Sequence, residues 1–200
     1  VAIEPDNGLL IKRIHALTRA LAPLPIGAMP RLDPISGIRA VLFDIYGTLV
    51  ISGSGDIGHT VATTSKDPFQ EAWRAAELAP SLLPPDFDGP AALTAQIRGE
   101  HARGVAAGIN HPEVDIVAIW RALLSDLGTG AREQQLRRLA LEYEFRVYPV
   151  WPMPGLKALI ETLCRRHVVL GVVSNAQFYT PLMLHAFLDQ PMDAAGFDPH

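Results

Sequence analysis

The sequence contains one cysteine, Cys164, in 200 residues. That rules out an intramolecular disulfide framework and fits a reducing compartment, so the chain is expected in the cytoplasm. It has no apolar run near the ~20 residues that a membrane-spanning helix needs, and no membrane partner is expected. It also lacks an excess of positive charge: 17 lysines and arginines against 21 aspartates and glutamates leave a formal net charge of −4. Nucleic acid is therefore not expected as a partner, because its binding rests on clustered positive charge. His59, His101, His111 and His167 show none of the short spacings that hold a metal ion. What the chain does have is 48% hydrophobic and 19% charged residues, the balance of a chain that buries a core.

Periodicity divides the chain. Leu9, Leu10, Ile14, Leu17 and Leu21 recur at helical spacing, and Pro23, Pro25, Pro30 and Pro34 then make an extended connector. Residues 1–38 are thus read as an amino-terminal helix and linker. A short apolar strand follows over 39–43. Ser52-Gly53-Ser54-Gly55 is a polar, glycine-rich hinge. Between 67 and 145 the apolar spacing is helical throughout, over 69–78, 91–105, 113–127 and 132–145. The proline-rich stretch 149–155 reads as a rigid re-entry. A helix over 156–166, a buried β-branched strand over 168–173 and a helix over 180–188 complete the order. Strand, helical block, helix, strand, helix predicts a parallel α/β sheet with crossover connections. Residues 39–50 and 148–200 would form its core, and 51–147 a helical insertion.

The chemistry-bearing stretch is Ala40-Val41-Leu42-Phe43-Asp44-Ile45-Tyr46-Gly47-Thr48-Leu49. A buried strand there would present the Asp44 carboxylate at its carboxyl end, where ligands gather in parallel sheets. Gly47 suits a sharp turn that needs positive φ, and Thr48 can hydrogen-bond within that turn. The second apolar strand delivers Ser174 and Asn175 at its own carboxyl end. If the two strands are neighbours, a carboxylate nucleophile stands beside hydroxyl and amide donors.

Asp44-Ile45-Tyr46-Gly47-Thr48-Leu49, followed after a helical insert by Val172-Val173-Ser174-Asn175, resembles the first two motifs of the haloacid dehalogenase superfamily. The resemblance implies a Rossmann-like parallel core with an inserted helical cap. It also implies a hydrolase that forms a covalent aspartyl intermediate through Asp44 on a small-molecule substrate. Phosphatases of the superfamily carry an aspartate where this chain has Tyr46; there it protonates the leaving alcohol and later activates water. A tyrosine, with a pKa near ~10, does neither well at neutral pH. A departing halide needs no proton, so Tyr46 favours the dehalogenase branch, which works without a cofactor. In that branch Arg74 is the candidate cap arginine for a halide or carboxylate, and Gly47 lies at the substrate.

A phosphatase of the same superfamily is the alternative. It would use Mg²⁺ bound by the Asp44 carboxylate and the backbone carbonyl of Tyr46. A catalytically silent module that keeps the fold is the third reading. The superfamily's third motif is a downstream lysine or arginine, and its fourth a pair of acids after a later strand. The chain has no lysine or arginine after Arg166, so both motifs are expected beyond His200. The chain is accordingly expected to be a carboxyl-terminally truncated, poorly active piece. A homodimer is compatible with the sequence and not fixed by it.

Overall fold

The computed structural model describes residues 5–25, 27–53 and 67–197. They fall into two units: the described parts of Val1–Arg13 and Ala62–Val147, and those of Ile14–Val61 and Tyr148–His200. The chain is a mixed α/β protein. Among the described residues no helix is long and apolar enough to cross a membrane.

The first unit is helical. It holds the start of α1 (Pro5–Leu17), then α2 (Pro68–Ala75), α3 (Gly89–Ala106), α4 (Ile116–Asp126) and α5 (Glu133–Val147). Aspartates start three of these helices by accepting otherwise orphaned N–H groups. Asp67 accepts from Gln70 at 2.9 Å, Asp88 from Ala91 at 3.0 Å and Asp115 from Val117 at 2.8 Å. Helix α2 stops short of the expected residue 78, because Glu77 takes a left-handed φ of 58°. The core is aromatic. Trp73, Phe87, Trp120 and Tyr143 surround Phe69 at centroid distances of 5.9, 6.0, 5.6 and 6.1 Å. Gly89 lies flat against that ring, where a Cβ would come within 2.4 Å.

Glu142 of α5 is fully buried, yet charged neighbours meet it on every side. Arg13 donates to both of its oxygens, at 2.6 and 3.0 Å, and Arg138 to one at 3.0 Å. Arg146 pairs with the other oxygen and also reaches Glu71 at 3.1 Å. Burial pushes the Glu142 carboxyl up, but the hydrogen bonds from Arg13 and Arg146 outweigh it and hold it below the usual glutamate range.

The second unit carries the sheets. Strands β1 (Ala40–Phe43) and β4 (Val169–Val172) pair in parallel, in the register Ala40↔Val169 to Phe43↔Val172. The ladder runs on through Val173 N–H to the Phe43 carbonyl at 2.9 Å. An isolated parallel bridge joins Leu170 to Phe197. Helices α6 (Leu156–Arg165) and α7 (Thr180–Leu188) complete the unit. A second, antiparallel pair was not expected from the sequence. Strand β2 (Val50–Ser52) lies against β3 (Val150–Pro152), and Gly53 N–H donates to the Pro149 carbonyl at 2.7 Å. The hinge and the re-entry segment are therefore partly ladder. Ser54 and Gly55 of the hinge lie outside the described residues, as do Asp198 to His200.

The expectation that both strands are buried, the second fully, needs correction. Phe43 and Leu170 are buried, but Leu42 is 70% exposed, Val169 52% and Val173 65%. Side chains alternate between the faces of a strand, and among the described residues only one face of the β1–β4 pair is covered. Phe197 contributes to that cover by meeting Phe43 edge-on at 6.4 Å.

Candidate active site

Asp44 follows directly on β1, and Ser174 stands two residues beyond β4. Because the strands are parallel neighbours in an in-step register, both residues leave the sheet at its carboxyl edge, on backbones roughly 5 Å apart. Asp44 and Asn175 are exposed and Ser174 is half-buried. The Ile45 and Asn175 N–H groups have no partner among the described residues. This edge thus presents a carboxylate, a hydroxyl and two backbone donors.

The loop after Asp44 is tied by its own backbone. The Ile45 carbonyl accepts from Thr48, Leu49 and Val50 at 3.2, 2.9 and 2.9 Å, and Gly47 N–H donates to the Val50 carbonyl at 2.8 Å. The Leu49 carbonyl accepts from Met153 at 2.9 Å, while the Ile45, Leu49 and Val50 side chains are buried beneath the loop. Gly47 turns the chain with a φ of 81° and has no atom within 4 Å of the place a Cβ would occupy. Gly47→Ala is therefore expected to cost about 1–2 kcal/mol through backbone strain alone. A urea midpoint lowered at constant m-value would record that cost; an unchanged midpoint would mean that the loop relaxes. Thr48 does hydrogen-bond within the turn, but through its N–H. Its exposed hydroxyl makes no bond among the described residues, because the turn is closed before the side chain is needed.

Tyr46 is half-buried, and its hydroxyl lies 3.3 Å from the Thr180 hydroxyl at the start of α7. Thr180 was not singled out from the sequence, where it reads only as the first residue of an apolar helix. Arg74 belongs to the helical unit, exposed on α2. Lys157, in the unit with the sheets, is committed elsewhere: from α6 it pairs with Asp189 at the carboxyl end of α7 and lowers that carboxyl's pKa. Helix α7 separates that pair from Thr180 by roughly 13 Å.

Asp44 and the Tyr46 carbonyl are hard oxygen donors of the kind Mg²⁺ prefers. Among the described residues no group of three or more His, Cys, Asp or Glu could hold a metal ion. A cation here would therefore depend on water and substrate oxygens for the rest of its octahedron. No protein-family model matches the chain, and no curated protein matches it.

Proposed function

We propose that the chain is a hydrolase of the haloacid dehalogenase type, with Asp44 as nucleophile and a small organohalide as substrate. The observation that carries this reading is the parallel pairing of β1 with β4, which gives Asp44 and Ser174 one sheet edge in the motif order of that superfamily. The Rossmann-like core would be the unit holding both sheets, and the cap the helical unit, to which Arg74 belongs. A cytoplasmic place goes with the single cysteine.

In this reading an Asp44 oxygen attacks the carbon that bears the halogen, and the carbon–halogen electron pair leaves with the halide. The resulting ester is opened by water at the Asp44 carbonyl carbon. The Ser174 hydroxyl and the Ile45 and Asn175 N–H groups are the donors available to the oxyanion that forms there. Tyr46 has no acid–base task in this sequence, since halide departs unprotonated.

The phosphatase alternative is favoured by one feature, the pair of hard donors at Asp44 and the Tyr46 carbonyl. Mg²⁺ held there would offset charge on a phosphoryl group. Halide and phosphate release by the wild type and by Tyr46→Asp, each with and without EDTA, separates the two. The expected result is halide release that ignores EDTA, whereas halide release abolished by EDTA contradicts a metal-free mechanism. A phosphatase would stop with EDTA and gain from Tyr46→Asp, by up to ~10²–10⁴ where the new carboxyl is well placed.

A further inference from the structure

We propose that Thr180 is a positioning residue for the nucleophile loop, holding the Tyr46 phenol from the buried first turn of α7. The inference rests on the reading of Asp44 as nucleophile and adds how its loop is fixed. Among the described residues Thr180 and Glu142 are the fully buried polar or charged side chains. Glu142 is satisfied by three arginines. The Thr180 hydroxyl has Tyr46 as its partner, at 3.3 Å, and no other among the described residues.

Helix α7 is otherwise apolar on its buried positions, with Leu182, Met183, Leu184, Ala186, Phe187 and Leu188 all inside. A valine would fill the space of Thr180 without a hydroxyl to satisfy. Buried hydroxyls that lack a partner are costly, so this one is retained through the bond it makes. The loop's backbone bonds close it on itself and onto Met153, next to the β2–β3 pair. The Tyr46–Thr180 contact ties it instead to α7, two residues from Asp44. Positioning errors of about 1 Å at a reacting group can cost on the order of 10² in rate. The pair also constrains the residue at 46, because an aspartate there is too short to reach Thr180. A Tyr46→Asp exchange would strand the buried hydroxyl unless Thr180→Val accompanied it.

The test compares the full chain with Tyr46→Phe, Thr180→Val, Thr180→Ser and the Tyr46→Phe/Thr180→Val double variant. Amide hydrogen exchange is read over Gly47 to Val50, with α6 as internal reference. Tyr46→Phe and Thr180→Val are each expected to speed loop exchange about five- to tenfold, leaving α6 unchanged. The double variant should add nothing further, and Thr180→Ser should restore wild-type exchange. An unchanged loop, a change shared equally by α6, or a serine that fails to restore protection overturns the clamp. On an organohalide that the wild type turns over, Thr180→Val should lower kcat about tenfold at near-constant KM, and Thr180→Ser should recover it. Full kcat in Thr180→Val with a loosened loop overturns the positioning role. Undiminished turnover by Asp44→Asn, or none by the wild type, counts against the nucleophile reading alone, and loop exchange then decides the clamp by itself.

Discussion

Asp44→Asn is expected to leave the protein folded and to lower organohalide turnover by on the order of 10⁴-fold or more. The amide keeps the shape of the carboxylate and loses the charge that the proposed nucleophile needs. A 10⁴-fold loss corresponds to about 5.4 kcal/mol of transition-state stabilisation, more than one hydrogen-bond donor at this edge supplies. The fold should not notice. Asp44 is exposed and makes no hydrogen bond or ion pair among the described residues, and such surface exchanges stay within about 0.5 kcal/mol. Steady-state halide release beside a urea midpoint makes both comparisons. Turnover within tenfold of wild type, at an unchanged midpoint, would remove Asp44 from the chemistry.

The largest expected loss of stability lies in the helical unit. Glu142→Gln should destabilise it by about 3 kcal/mol, at the lower end of the range for breaking a buried ion pair. The variant removes the one carboxylate that Arg13, Arg138 and Arg146 share, while Arg146 keeps Glu71. The lower end applies because Arg13 and Arg138 are 32% and 29% exposed and stay partly hydrated. Arg13→Gln should cost less, since Glu142 would retain two guanidinium partners. The pH dependence has a definite sign. Because the folded Glu142 titrates below the usual range, its contribution is complete above about pH 4.3. It is lost as the pH falls through the lower folded value. Acid unfolding of the wild type should therefore be steeper in that window than acid unfolding of Glu142→Gln. Equal stability of the two proteins at pH 7 would contradict a structural role for the cluster.

Local pattern made some of this legible and geometry hid the rest. Helix α7 is found over Thr180–Leu188, the range expected from the sequence, and the two apolar runs ending at Asp44 and Ser174 are paired parallel strands. The β2–β3 pair leaves little trace in the sequence because each strand is three residues long, one ends in Pro152, and their partners lie about a hundred positions apart. By spacing alone Glu142 is one more acid on an amphipathic helix. Arg138 and Arg146, four residues to either side, suggest an exposed helical ion pair. Its burial depends on Arg13, which arrives from 129 positions away. Thr180 is the same kind of case, since its hydroxyl acquires meaning only from Tyr46, 134 positions earlier. Asp88 is an exposed acid that also starts α3, since its carboxylate accepts the Ala91 N–H. Sequence spacing reports which face a side chain takes; it does not report what a distant segment brings to that face.

The central claim, that Asp44 forms an ester with the substrate carbon, is tested most directly by a single turnover in H₂¹⁸O with enzyme in excess. Water that opens the ester at the Asp44 carbonyl leaves its oxygen in the enzyme, and the product alcohol carries away an unlabelled Asp44 oxygen. Mass spectrometry of the peptide containing Asp44 is therefore expected to show one ¹⁸O in that side chain, with an unlabelled product. A product that carries the label, beside an unlabelled Asp44, would mean that water attacks the substrate itself, and the ester mechanism would be wrong.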